Sequence, residues 1–260
     1  MKTRFNNNGG ALVELLVSLG VAGLLLVFLV QVLGGVQRSW MTARRVTHRE
    51  ETAHQSLTVL SEIVGTAILN PRQKFDAPAH PAQWVKDSDL HFVCGPSSEL
   101  LAGMPHVCGD ALFFQRLNSD GLIESCGFYV QFGSDGADSP EALRSSLESR
   151  QRFRLMLFHE PAKELTLFQS SAGAGGPPLL SALTLREDLY AWFKRPLMAG
   201  KASRTHTAVV ADNVLALLVR KAPDDQRCYD TRRHQWEGSS PESARSRHQL
   251  PQSLEITLIT

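Results

Sequence analysis

The first seventy residues carry one helical pattern that changes character halfway along. Residues 10–36 are almost entirely apolar, and Glu14 is the one ionisable side chain among them. At 1.5 Å per residue such a run crosses a bilayer core of about 30 Å. From residue 37 polar side chains dominate, while apolar residues recur at intervals of three, four and seven. These are Val46, Ala53, Leu57, Leu60, Val64 and Ile68.

That pattern predicts one long helix, with its first half in lipid and its second half packed on a domain by a single apolar face. Trp40 falls where the membrane interface is expected, as aromatic residues often do. Asn70-Pro71 is the first helix-stopping signal, so we expect the helix to end there.

Beyond Pro71 short apolar stretches alternate with turn residues, which is typical of strands and loops. Predicted strands cover 90–93, 111–115, 126–132, 152–158, 165–168, the second half of 209–220, and 253–259. Other predicted features are a long connection at 133–150, a loop at 170–178, a short helix at 185–193 and a polar excursion at 221–249. The order indicates an α+β fold in which a long N-terminal helix packs on antiparallel sheet.

Composition excludes several classes of protein. The chain has 260 residues, of which 43% are hydrophobic, enough for one sizeable core. A formal net charge of +1 for the whole chain does not argue for nucleic-acid binding. The sequence contains no P-loop, no dinucleotide-binding fingerprint and no G-x-S-x-G elbow. We therefore do not expect an enzyme.

Three ordinary explanations of the N-terminus compete. A secretory signal peptide needs a shorter apolar run and an A-x-A site, and neither is present. A soluble core helix would not be apolar on every side over this length. A plain signal anchor fits, with Lys2 and Arg4 before the span predicting a cytoplasmic N-terminus, but it leaves Glu14 unexplained. A carboxylate inside an apolar membrane helix costs roughly 2–3 kcal/mol.

The segment GGALVELLV, residues 9–17, resembles the class III signal of type IV pilins and type II secretion pseudopilins. The resemblance implies that a prepilin peptidase cuts after Gly9 and N-methylates Gly10, which makes Glu14 the fifth mature residue. The family usually has phenylalanine where this chain has Gly10, so a cut after Gly10 stays open. Physically, a carboxylate there can offset the positive amine of a neighbouring subunit when both lie in an apolar helical bundle.

The rest of the chain resembles larger minor pseudopilins of the J type and the minor pilin W, in which a late Leu-Pro leads into the last strand. A closer resemblance is to the pilin-like Verru_Chthon cassette protein C family of Verrucomicrobia. The matching pieces are DLHFVCGP (89–96), CGFYVQFGSD (126–135), RFRLMLF (152–158), YDTRRHQW (229–236) and RHQLPQSLEITLI (247–259). The resemblance to this family implies that the protein acts with partner proteins in an assembly; it does not imply a catalysed reaction.

Four cysteines, Cys94, Cys108, Cys126 and Cys228, form no CxxC pair. An even number in an exported domain permits two disulfides with three connectivities, and buried thiols are the alternative. The short loop favours Cys94–Cys108. No metal ligands cluster among the nine histidines. The Asp-Gly segments at 120–121 and 133–138 are interpreted as plain turns, with a calcium-binding loop as the alternative. We expect no other cofactor.

The sequence thus predicts a leader at 1–9, a membrane-spanning helix at 10–36, its periplasmic continuation at 37–70 and a β-rich periplasmic domain at 71–260. The expected protein is a minor pilin or pseudopilin of the bacterial inner membrane. Its expected partners are prepilin peptidase, other pilin subunits and membrane lipid. Two alternatives remain. One is a membrane-anchored adhesin or binding module that forms no filament. The other is an anchored periplasmic enzyme, which is supported only by scattered His and Asp residues.

Overall fold

The structure is a computed structural model, and it describes residues 8–70, 73–76, 83–86, 88, 90–134, 150–165, 190–198, 206–222, 228–231 and 248–260. The chain forms two compact units, Met1–Glu51 and Thr52–Thr260. The predicted strand at 165–168, beyond its first residue, the loop at 170–178 and most of the excursion at 221–249 lie outside the described residues.

The first unit contains most of the long helix α1, Asn8–Gly65. By length and composition α1 can cross a membrane, and none of its most apolar window is buried within the protein. Leu24 and Phe28, for example, are 73% and 64% exposed. A run of this size left bare in water would be strongly unfavourable, which makes lipid or other apolar helices its natural surroundings.

In the second unit the last turns of α1 pack on a sheet through one face, as the apolar spacing predicts. Leu60 is fully buried, and Ile63 and Val64 contact the same core. Ser56 is buried on this face too, whereas Leu57 and Val46 of the predicted stripe are exposed. The packed face is therefore shorter than the sequence pattern indicates.

The helix ends at Gly65, earlier than the predicted stop at Asn70-Pro71. Sheet pairing explains the difference, because Ile68 N donates to Gln115 O at 2.9 Å and Ala67 forms a β-bridge with Arg116. The N–H groups of Thr66 and Ala67 still bond back to the last helical turn. Those of Ile68 and Asn70 donate to Gln115 O and Ser88 Oγ, so the backbone leaves the helix for the sheet.

The second unit contains ten strands in the described residues. Their bounds are β1 Gln73–Asp76, β2 Gln83–Lys86, β3 Val93–Pro96, β4 Val107–Leu117, β5 Ile123–Ser134, β6 Gln151–Glu160, β7 Thr207–Asp212, β8 Ala216–Ala222, β9 Tyr229–Asp230 and β10 Ser253–Ile259. The described residues of this unit also include two short helices, α2 Ser97–Leu100 and α3 Ala191–Met198.

The main sheet has six strands in the order β7-β6-β5-β4-β3-β9, and every pairing is antiparallel. β8 pairs with β10, and β1 with β2, as separate two-stranded antiparallel sheets. The antiparallel arrangement and the final strand confirm the α+β prediction, and β5 and β6 pair across the predicted connection at 133–150.

Both faces of the main sheet are covered. Because side chains alternate along a strand, Phe114 and Phe113 point to opposite sides. Phe114 lies in a core with Leu60 of α1 and Leu217 of β8. Phe113 lies in a second core with Phe193 of α3, and their rings stack with centroids 4.0 Å apart. The two layers hold the sheet between the end of α1 on one side and α3 on the other.

A bulge in β4 lets β8, from the β8–β10 sheet, pass close to the main sheet. The β4–β5 register shifts between Cys108 and Leu112, and Gly109 has a φ of +69°. A Cβ on Gly109 would lie 2.6 Å from Leu217 O of β8. Asp110 accepts a hydrogen bond from Val219 N at 3.0 Å, so the bulge both admits and anchors β8.

Candidate functional site

The N-terminal end of α1 carries the predicted cleavage and assembly residues. The helix begins at Asn8, so Gly9 and Gly10 lie in its first turn. Glu14 follows at an exposed position, surrounded on the helix surface by apolar residues such as Val17. Lys2 and Arg4 lie outside the described residues.

Glu14 is the polar side chain of the apolar stretch that most needs an external partner. Ser18 satisfies itself, because its Oγ donates to Leu15 O at 3.0 Å within the helix. Glu14 makes no hydrogen bond or ion pair within the described part of the chain. Because an isolated carboxylate is costly in lipid, this position suits a cation supplied by another molecule.

Charge does not by itself favour a cytoplasmic N-terminus. Lys2 and Arg4 precede the apolar run, but four arginines follow it between residues 37 and 49 with no acidic residue among them. The positive-inside rule compares basic residues near both ends of a span. The predicted orientation therefore depends on the resemblance of the segment at 9–17 rather than on the leader charges.

None of the four cysteines is in a disulfide in the structure. The favoured Cys94–Cys108 pairing stays a prediction. In the sheet, Cys94 lies opposite Leu112 on β4, four residues along the chain from Cys108. The β4 bulge lies between Cys108 and Leu112, so the register does not place the two cysteines opposite each other. The sequence suggested the pair because it showed the loop length and not the register.

Two of the thiols are held in the protonated form near neutral pH by burial. Burial raises the pKa of Cys94 to about 12 and that of Cys126 to about 11. Since the thiolate is the reactive form of cysteine, neither side chain is suited to nucleophilic chemistry. Burial likewise raises the pKa of Tyr229 to about 12.

A buried polar cluster that the sequence did not predict joins β9 to α3. His91 Nε2 and Asp230 Oδ1 are 2.6 Å apart, and both side chains are fully buried. Tyr190 OH donates to Asp230 Oδ2 at 2.9 Å, and Trp192 Nε1 donates to His91 Nδ1 at 3.1 Å. Nothing local could reveal it, because Asp230 is 139 residues from His91 in the chain.

The hydrogen bonds determine the state of His91. The indole N–H of Trp192 can only donate, so His91 Nδ1 accepts and carries no proton. The proton lies on Nε2 and is donated to Asp230. His91 is thus neutral and enclosed, an arrangement that holds two segments together and presents no acid or base to a substrate.

Removing Asp230 is expected to destabilise the fold strongly. An Asp230→Ala variant removes the buried carboxylate that accepts hydrogen bonds from His91 and Tyr190, so we expect the free energy of unfolding to fall by about 3–5 kcal/mol. Urea unfolding of the full chain in detergent, followed by tryptophan fluorescence, measures the change.

Asp212 provides the matched control. It pairs with Arg152 at 3.1 Å but is 44% exposed, so Asp212→Ala should cost no more than about 1 kcal/mol. Equal losses of unfolding free energy in the two variants would show that the buried cluster stabilises the fold no more than an exposed ion pair does.

A separate charged cluster lies beside the β4–β5 hairpin and is centred on Glu124. Glu124 hydrogen-bonds Asn118, His159 and Arg116 at 3.0, 3.1 and 3.3 Å. Burial alone would raise the pKa of Glu124, but the hydrogen bonds from Asn118 and His159, with the charges of His159 and Arg116, lower it overall. Glu124 is therefore a stable carboxylate and not a proton donor for catalysis.

The turn at Asp120-Gly121 has the geometry of a plain turn. Asn118 Oδ1 accepts from the backbone N–H groups of Asp120 and Leu122, both at 2.9 Å, and Gly121 has a φ of +73°. The other Asp-Gly segment lies outside the described residues beyond Ser134. Across the part of the chain that is described, no three His, Cys, Asp or Glu side chains converge as a metal site.

Comparisons of the chain with family models, with curated proteins and with solved structures found no match. The class of protein is therefore inferred from its residues and its fold.

Proposed function

We propose that this chain is a structural subunit of the type IV pilin-like class, a minor pilin or pseudopilin that joins a filament through its N-terminal helix. One observation supports this above all. Directly after Gly9-Gly10, a single helix exposes an apolar stretch that contains one carboxylate, Glu14, and the same helix ends packed on antiparallel sheet through Leu60. A plain membrane anchor requires neither the glycines nor the carboxylate.

The proposed mechanism follows from this arrangement. Prepilin peptidase cuts after Gly9, which removes Lys2 and Arg4 and creates a positively charged, methylated amine on Gly10. In a bundle of such helices, that amine lies in apolar surroundings and pairs with Glu14 of a neighbouring subunit. The second compact unit, Thr52–Thr260, is the globular unit; it stays on the periplasmic side and contacts other subunits or cargo.

A second candidate, a membrane-anchored binding module, is favoured by one feature. Phe75 of β1 and Trp84 of β2 face each other with ring centroids 5.3 Å apart. They are 49% and 66% exposed, and exposed aromatic side chains are frequent in protein-binding surfaces. A module of this kind would use the hairpin without entering a filament.

Fractionation distinguishes the two functions. Filaments sheared or extracted from native cells are purified, and this chain is quantified in the filament and membrane fractions with a labelled peptide standard. A subunit co-purifies with filaments in a fixed ratio. A chain that is exposed on whole cells but missing from purified filaments would support the binding module and contradict the proposal.

A further inference from the structure

Four arginines form a basic band on α1 directly after its apolar stretch. The band consists of Arg38, Arg44, Arg45 and Arg49. All four are exposed and lie within the first compact unit. The first acidic residues after the apolar stretch are Glu50 and Glu51.

The helix places no acidic residue at contact spacing from this band. Side chains on a helix meet three and four residues apart, and no acidic residue stands at either spacing from any of the four arginines. Arg45 and Arg49 are four apart, a like-charge spacing that weakens a helix. Within the described residues none of the four arginines forms an ion pair.

The band begins at the height of a lipid headgroup layer and extends above it. With Val36 as the last residue of the apolar run, a rise of 1.5 Å per residue puts Arg38 about 3 Å further along the axis. Arg44 and Arg45 then lie about 12–14 Å along, and Arg49, the most distant of the four, lies about 20 Å along. The headgroup layer is about 5–7 Å thick on each side of the core. Arginine side chains can bend back toward this layer, and unscreened attraction extends about 8 Å beyond it.

Two apolar residues within the band have the character of an interface anchor. Trp40 and Met41 are 78% and 62% exposed, and tryptophan is enriched where headgroups meet hydrocarbon. The combination of exposed tryptophan and unpaired arginines is what an anionic lipid surface recognises, because guanidinium groups bind phosphate through paired hydrogen bonds.

We propose that this basic band binds the phosphate groups of anionic phospholipids on the membrane face from which the globular unit emerges. Bound lipid offsets the repulsion along the helix and holds α1 at a defined depth. This role requires α1 to span a membrane, but it requires neither a filament nor prepilin processing.

The test uses the full chain in nanodiscs made of equal parts phosphatidylglycerol and phosphatidylcholine. Lipids that remain bound after the discs are dissolved are counted by native mass spectrometry. We expect a preference for phosphatidylglycerol that falls at high salt. Each arginine near the surface contributes about fivefold, so Arg44→Gln with Arg45→Gln should reduce the preference about tenfold or more.

The control removes the same charge elsewhere. Lys163 and Arg195 are exposed, and Lys163→Gln with Arg195→Gln should keep the native preference. Glutamine is about as good a helix former as arginine, so the helix survives in the test variant and circular dichroism verifies it. No lipid preference in the native chain, equal losses in both variants, or crosslinks from the band to an acidic protein in place of lipid would each overturn the proposal.

Discussion

A Glu14→Ala variant is expected to insert into the membrane like the native chain but to be depleted from filaments about tenfold or more. Removing a carboxylate from an apolar helix favours insertion by roughly 2–3 kcal/mol, so anchoring cannot suffer. Assembly suffers because the amine of a neighbouring subunit then remains buried without a partner. Losing one member of a buried charge pair commonly costs about 2–5 kcal/mol of binding free energy. Each 1.4 kcal/mol lowers the affinity between subunits about tenfold. Quantitative immunoblots of membrane and filament fractions measure both effects.

Two further variants show whether the charge is responsible. Glu14→Gln keeps the size and loses the charge, so it should resemble Glu14→Ala. Ser18→Ala changes the neighbouring polar residue, whose hydroxyl is already bonded within the helix, and should assemble normally. If Glu14→Ala enters filaments at the native level, the proposed pairing is contradicted even when the chain proves to be a filament subunit.

A Gly127→Ala variant is expected to lose about 3 kcal/mol of stability or more, the upper range for overpacking a filled core. A Cβ at this position would lie 2.1 Å from Cδ1 of Phe113 and 2.9 Å from the carbonyl oxygen of Leu112. Phe113 cannot move aside, because its ring stacks on Phe193 at 4.0 Å. For a domain of this size the melting temperature should fall by about 6–12 °C.

Gly65→Ala is the matched control, since a Cβ there meets nothing within 4 Å and alanine favours helix. Its melting temperature in detergent should be equal to or slightly above that of the native chain. Equal melting temperatures for the Gly127 and Gly65 variants would show that the sheet can relax around Phe113, against the close packing described above.

Local patterns predicted much of this fold. The apolar run and its helical continuation indicated α1, and strict alternation located β6 and β10. Prediction was poorer where tertiary contacts decide the structure. The stretch 209–220 was expected to contain one strand, yet the chain divides at Asn213, whose φ of +61° separates β7 from β8. These two strands belong to different sheets, which a hydrophobic pattern cannot reveal.

The candidate site divides in the same way. Gly9, Gly10 and Glu14 are visible in the sequence because their chemistry depends on short spacing within one helix. The cluster of His91, Asp230, Tyr190 and Trp192 depends on β9, a strand within the predicted excursion at 221–249, pairing with β3. Only the fold reveals it. The basic band was present in the sequence, but its meaning became clear only once its side chains proved to be exposed and unpaired within the described helix.

The mass of the N-terminal peptide, measured on the chain purified from native membranes, tests the central proposal most directly. We expect a mature protein that begins at Gly10 with a methylated amine and lacks residues 1–9. A start at Ala11 would keep the class of protein but move the cut by one residue. An intact chain that begins at Met1 would contradict prepilin processing, leave α1 as a simple anchor, and favour the membrane-anchored binding module.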